Sequence, residues 1–264
     1  MFPFFQIRSR WRTAREGLQY VRHLSNGFDV WIRHRRQQPL PPLQFRNGIS
    51  WQHGTHDDPI MLFRELYLEE FFAPVGRAPH NAVIFDIGAN IGATVLYWAA
   101  RRPDLTFHAF EPNPQAFGTL EANIVKNGVT GQAHLHQQAV AGKAGAIDLW
   151  IDVPTVLSTA YGKTPAAGGR KVTVPAITLE TAWREASAQD VWLLKIDVEG
   201  AEGDILEAAA DGLLRQAQHM VVEWHDNIVP GVGERCRRRL RDAGFTFSER
   251  LHPWNEGILY ATRC

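Results

Sequence analysis

Apolar residues run together at Ala82–Ile87, Thr106–Phe110, His134–Val140, Val191–Ile196 and His219–Trp224, each run five to seven residues long. Continuous runs of this length suit strands covered on both faces, as in a parallel sheet. Between them the pattern changes to a helical period. Ile91, Val95, Leu96 and Ala99 mark a helix over Asn90–Arg102, and Phe117, Leu120 and Ile124 a second one, opened by Asn113-Pro114 and closed by Gly128. A third covers Ala201–Leu214, and a fourth covers Glu234–Ala243 with Gly244 as its stop. Ile147–Ile151 and Lys171–Pro175 read as two arms of an excursion, joined by a Pro/Gly/Ala/Thr-rich connection from Asp152 to Arg170 that reads as a mobile loop. Thr246–Leu251 and Ile258–Thr262 are separated by too few residues for a parallel crossover, so they predict an antiparallel pair. The expected fold is α/β: a mostly parallel sheet ending in a reversed strand.

The first 79 residues are organised differently. Leu43–Trp51 predicts a hairpin turning at Asn47-Gly48, and Asp58-Pro59 caps and starts a helix carried by Met61, Leu62, Leu66, Leu68 and Phe72 to Pro74. Upstream, Trp11, Ala14, Leu18 and Val21 recur at helical spacing. This predicts a basic amphipathic helix with its apolar stripe packed on the main domain; contact of this segment with a membrane surface or a protein partner is the alternative. Pro39-Leu40-Pro41-Pro42 reads as a stiff linker. Residues 1–79 thus form an N-terminal extension and residues 80–264 the main domain.

Composition narrows the function less than the pattern does. The 264 residues carry a formal net charge of +0, which gives no case for nucleic acid. The charge is uneven, with Arg8, Arg10, Arg12, Arg15, Arg22, Arg33, Arg35, Arg36 and Arg46 opposed only by Glu16 and Asp29 over the first 46 residues. No apolar run approaches the roughly 18–20 residues of a membrane span. With no secretory signal and only Cys236 and Cys264, a cytoplasmic protein without a disulfide framework is expected. Oligomeric state is left open.

The chemistry gathers at the strand ends. Asp86, Glu111, Asp197 and Glu223 all close predicted strands, where ligands of open α/β sheets bind. After the first strand stands Gly88-Ala89-Asn90-Ile91-Gly92. A dinucleotide fingerprint needs glycine at 90 and 93, and Asn90 puts a side chain where a pyrophosphate would approach. The G-x-N-x-G turn instead suits a nucleoside without phosphates whose amino-acid tail crosses the loop, which is S-adenosylmethionine (SAM). Glu111 lies 23 positions beyond Gly88, close to the roughly 20 expected of a ribose-binding acid.

Together, Phe85-Asp86-Ile87-Gly88-Ala89-Asn90-Ile91-Gly92, Phe110-Glu111-Pro112-Asn113-Pro114, Leu120 with Asn123, Asn127-Gly128, Val174, Thr178-Leu179-Glu180, Lys195-Ile196-Asp197-Val198-Glu199-Gly200-Ala201-Glu202 and Glu223-Trp224-His225 resemble the FkbM family of SAM-dependent methyltransferases over about residues 80–262. Glu180 departs from the aspartate common there. The resemblance implies a class I (Rossmann-like) seven-stranded sheet with an antiparallel C-terminal strand. It also implies SAM as donor, held by Asp86, Gly88, Asn90, Gly92, Glu111 and Asn113, and a hydroxyl acceptor on a saccharide or secondary metabolite.

An alcohol must lose its proton as it attacks the methyl group. The expected base is His225, with Asp197 and Glu223 orienting it or the acceptor. Glu199 either joins that catalytic group or, like Glu202, interacts with the amides at a helix start. In a variant, Asp197 and Glu223, with His225, bind a hard divalent cation such as Mg²⁺. Lys195 is expected to pair with a carboxylate, and Trp224 either packs the core or walls the acceptor pocket. The alternatives are a SAM- or nucleoside-binding protein without catalysis and an NAD-dependent oxidoreductase.

Overall fold

The computed structural model describes residues 16–151, 169–188 and 190–264. Seven strands form the central sheet: β3 (Val83–Ile87), β4 (Thr106–Phe110), β5 (Ala133–His136), β9 (Val191–Ile196), β10 (Ala217–His225), β11 (Phe245–His252) and β12 (Glu256–Arg263). Their spatial order is β11-β12-β10-β9-β3-β4-β5. The pairs of β3, β4, β5, β9 and β10 are parallel, while β12 runs antiparallel to both neighbours, β10 and β11. The order reverses between β3 and β9, so a crevice opens at their carboxyl ends.

Strand alternation builds two cores, one on each sheet face. Ile84, Leu193 and Val221 pack with the N-terminal segment and with helices α4 (Ala93–Ala99) and α5 (Pro114–Lys126). Phe85, Leu194 and Val222 face α6 (Leu179–Glu185), α7 (Glu202–Ala208) and α9 (Val232–Asp242) on the other side.

Several elements differ from the sequence expectation. The third strand divides: after β5 the chain leaves the main sheet, and β6 (Ala139–Val140) joins β7 (Gly145–Ile151) and β8 (Arg170–Ile177) in a separate three-stranded sheet. The expected loop between β7 and β8 falls almost wholly outside the described residues. The helix expected over 90–102 starts only at Ala93, because the turn before it is left-handed at Gly88, Asn90 and Gly92. The helix expected over 201–214 is two, α7 and α8 (Asp211–Leu214), broken where Ala209 and Ala210 turn extended.

In the N-terminal hairpin, β1 (Leu43–Gln44) pairs with β2 (Ser50–Trp51), but Arg46 and Asn47 occupy the centre of the turn. Gly48, at φ +90, follows as the bulge residue, so the loop is one residue longer than the Asn-Gly motif alone indicates. Asp58 caps α3 (Pro59–Phe63) through the Ile60 and Met61 amides as expected. The helix then widens into a π turn over Arg64–Leu68 and stops well before Pro74.

The stripe on α1, whose described part covers residues 16–23, is also turned around. Gly17 and Tyr20 are buried, whereas Leu18 is 69% exposed and Val21 37%. Tyr20 packs edge-on to Phe63, and Gly17 meets the Trp31 ring of α2 (Gly27–Arg35), which leaves Leu18 and Val21 outward; Trp11 and Ala14 of the predicted stripe lie outside the described residues.

Two asparagines of α5 tie the segment around β2 to the helices of the main sheet. Asn123 accepts from Gln52 N and donates to Gln52 O and Ile91 O, while Asn127 accepts from Ser50 N and donates to Ser50 O. Their amides thus serve β2 as a neighbouring strand would. Replacing the fully buried Asn123 leaves a peptide N–H and two carbonyls unpaired. Asn123→Ala is expected to lower stability by about 2–4 kcal/mol, and the half-buried Asn127→Ala by about 1 kcal/mol, in urea denaturation.

Candidate active site

A cavity of about 400 Å³ lies over the carboxyl ends of β3, β4, β9 and β10. Its size is that of a small-molecule site. One end is the glycine turn. Gly88 and Ala89 donate to Phe110 O, binding the turn to β4. A Cβ on Gly88 would lie 1.8 Å from Asp197 O, so glycine is required there for close approach to β9 as well as for its φ of +83. Asn90, at φ +49, lines the cavity with a buried side-chain oxygen that has no hydrogen-bond partner among the described residues.

Glu111, at the end of β4, is held by two backbone amides: Asn90 N donates to Oε2 and Asn113 N to Oε1, both at 2.8 Å. Burial raises its carboxyl to about 7 despite those two donors. Gly88, Asn90, Glu111 and Asn113 all line the cavity; Asp86 and Gly92 stand behind it.

Asp86 is fully buried and pairs with Lys195, whose Nζ lies 3.2 Å from Asp86, 3.2 Å from Asp197 and 3.1 Å from Gly88 O. Burial pulls this ammonium towards the neutral form, but Asp86 and Asp197 together raise it above the usual lysine range. Lys195 is therefore a fixed cation, as the expected carboxylate pairing implies.

At the other end the structure brings together Asp197, Glu199, Glu223 and His225. His225 Nδ1 lies 2.9 Å from Glu202, and its Nε2 faces Glu199 at 3.7 Å and Asp197 at 3.9 Å. Glu202 is fully buried and also accepts from Val198 N and Gly200 N. Its place at the start of α7 is as expected, but its function extends beyond the helix amides: it holds His225. The clue in the chain is a carboxylate on a helix face otherwise made of Ile205 and Leu206.

Burial opposes a charge on His225, yet the Glu202 bond and the neighbouring carboxylates push it up to about 11. The resting imidazole is thus a cation at neutral pH, whereas a base must start neutral. Glu199 and Glu223 are raised well above ordinary carboxylates, chiefly by burial and then by other acids around them. Glu223 is 9% exposed, and its carboxyl makes no hydrogen bond or ion pair among the described residues.

Glu65 escapes the sequence reading. It enters the cavity from the π turn, and burial followed by Asp197 raises it to about 8. A charge within the apolar stripe of Met61, Leu62 and Leu66 is the signal that marks it. Trp224, by contrast, packs in the core with Nε1 donating to Glu249 and does not line the cavity.

The strand order, with its reversed strand and its crevice at the parallel strand ends, is that of the Rossmann-like class I methyltransferase fold. The chain belongs to the FkbM methyltransferase family: the family model "Methyltransferase FkbM domain" matches residues 86–247. It is 28% identical over 240 residues to the 31-O-demethyl-FK506 methyltransferase FkbM of Streptomyces tacrolimicus, covering 80% of this chain and 91% of that one. It is 25% identical over 162 residues to the 2-O-methyltransferase NoeI of Sinorhizobium fredii, covering 55% and 64%. The crystal structure of an FkbM methyltransferase from Methylobacillus flagellatus shares the fold at a TM-score of 0.53 and 13% identity, over 95% of this chain and 59% of that one. The METTL16 methyltransferase domain shares it at 0.52 and 12%, over 90% and 78%.

Nitrogen-resolved NMR of the metal-free protein is expected to show both His225 ring nitrogens protonated at pH 7.5, with no titration between about pH 5 and pH 9. A midpoint near 6.5 would show that Glu202 does not hold the cation.

Proposed function

We propose that this methyltransferase transfers the methyl group of SAM to a hydroxyl of a saccharide or other natural product. The observation that carries the reading is the continuity of one cavity from Glu111 and the glycine turn to the Asp197–Glu199–Glu223–His225 cluster. The relatives from Streptomyces tacrolimicus and Sinorhizobium fredii, both named for O-methylation, support it.

SAM fits the first end. Glu111 presents a fixed carboxylate for the ribose hydroxyls, and the unpartnered Asn90 oxygen is an acceptor for the amino-acid ammonium. When bound, SAM supplies an already activated methyl group. The protein's task is then alignment, exclusion of water and removal of the acceptor proton. In this reading Glu223 takes that proton in its ionised form, which burial makes the less populated one but a strong proton acceptor: its carboxyl has no hydrogen bond or ion pair among the described residues to hold it back. The imidazolium of His225, anchored by Glu202, orients Asp197 and Glu199 around the acceptor. This exchanges the parts that the sequence suggests for His225 and Glu223.

A second reading is favoured by Asp197, Glu199 and His225, which offer ligand atoms all within 4.8 Å of one another. Glu199 and His225, with Asp197, would hold a divalent ion, Glu223 standing outside the set. A histidine in the set suits a first-row transition ion better than Mg²⁺. Such an ion would lower the pKa of the acceptor hydroxyl.

Two measurements test the assignments. Because Glu111 must be ionised to accept from the ribose, SAM affinity is expected to be flat above about pH 7 and to fall up to tenfold per pH unit below it. In calorimetry Glu111→Gln should bind SAM about 10–100-fold more weakly and lose that pH dependence. Glu223→Gln should keep SAM affinity within a few-fold but lower turnover by about 10²–10⁴. Normal turnover in that variant would remove Glu223 as the base, and undiminished activity after thorough EDTA treatment would remove the metal reading.

A further inference from the structure

Leu18 and Val21, outward on α1, stand on a helix packed against α2, which carries the exposed Phe28. Gly17 sits against the Trp31 ring, which binds α1 to α2 beside Leu18, and the Phe28 ring lies 6.1 Å from Trp31. Phe28 is 66% exposed, so Leu18, Val21 and Phe28 present apolar side chains to solvent on neighbouring helices. Isolated exposed apolar residues need no explanation, but a cluster bordered by charge of one sign does.

Here the border is arginine. Arg46 donates to Val21 O, Arg22 follows Val21, and Arg35 lies over Trp31. The two acids of the segment are already engaged, Asp29 with Arg33 and Glu16 with Arg64. Arg22, Arg36 and Arg46 have no carboxylate partner among the described residues. Lysine is absent from the first 46 residues, where arginine occurs nine times.

From this juxtaposition we propose that the α1–α2 face docks on an anionic lipid surface, with Leu18, Val21 and Phe28 entering the interface and the arginines meeting lipid phosphates. Apolar residues flanked by cations are what an interfacial helix requires, and anionic headgroups complement both parts at once. An acidic protein surface would engage the arginines but leaves the apolar cluster without a reason. The face is mechanically joined to the cavity, since Tyr20 packs on Phe63 and Arg64 bonds Glu16, next to the turn that carries Glu65. The proposal does not depend on which acceptor the enzyme methylates.

The test is flotation of the full chain with vesicles of phosphatidylcholine alone or mixed with phosphatidylglycerol. Binding is expected only to the mixed vesicles and should weaken as salt rises. Leu18→Ser with Phe28→Ser should lower the bound fraction about tenfold or more. Arg22→Glu with Arg36→Glu should lower it at least as much, at about fivefold for each arginine. All four positions are exposed, so circular dichroism and SAM affinity should be unchanged. Absence of binding to the mixed vesicles at physiological salt overturns the proposal. So does binding that neither double variant reduces, or a dimer in light scattering that Leu18→Ser with Phe28→Ser dissociates, since a second copy would then cover the face.

Discussion

The site depends on one buried cation. Lys195 sits inside an apolar strand, and its ammonium joins Asp86 on β3, Asp197 beyond β9 and the carbonyl of Gly88. An unpaired ammonium at this depth would be strongly unfavourable, and so would either carboxylate alone. Each charge is tolerable because the other two are present, which fixes the ends of β3 and β9 relative to one another. The glycine turn and the acceptor-side acids are thereby held on the two sides of a single crevice.

Acids outnumber cations around that crevice. Lys195 and His225 are matched by Asp86, Asp197 and Glu202, while Glu65 and Glu223 add carboxyls without partners among the described residues. Burial first, and then this excess, makes Glu65, Glu199 and Glu223 hold their protons more tightly than ordinary carboxylates. The excess also favours occupants that donate hydrogen bonds or carry positive charge, and SAM, with its sulfonium, meets that condition. An acidic acceptor would meet repulsion.

Much of the fold was legible because parallel strands and their helices leave strong local marks. The runs at Val83–Ile87, Thr106–Phe110 and Val191–Ile196, the Asn113-Pro114 start and the terminal antiparallel pair all lie where the pattern puts them. The departures occur where neighbours override local preference. The third apolar run leaves the sheet halfway because its second part finds β8. On α1, small Gly17 and aromatic Tyr20 win the buried face because they fit Trp31 and Phe63, and Leu18 and Val21 are left outside.

The sequence by itself determined the order of strands and helices, the left-handed turn that only Gly88, Asn90 and Gly92 tolerate together, and the acids at the strand ends. These are properties of neighbouring residues and of backbone sterics, so they can be read along the chain. Which acid serves which partner was decided only in three dimensions. Glu202 captures His225 across 23 positions of sequence, and Glu65 reaches the cavity from a turn that precedes the first strand of the main sheet. Protonation then follows from burial and from charges that the fold, not the chain order, brings within a few ångströms.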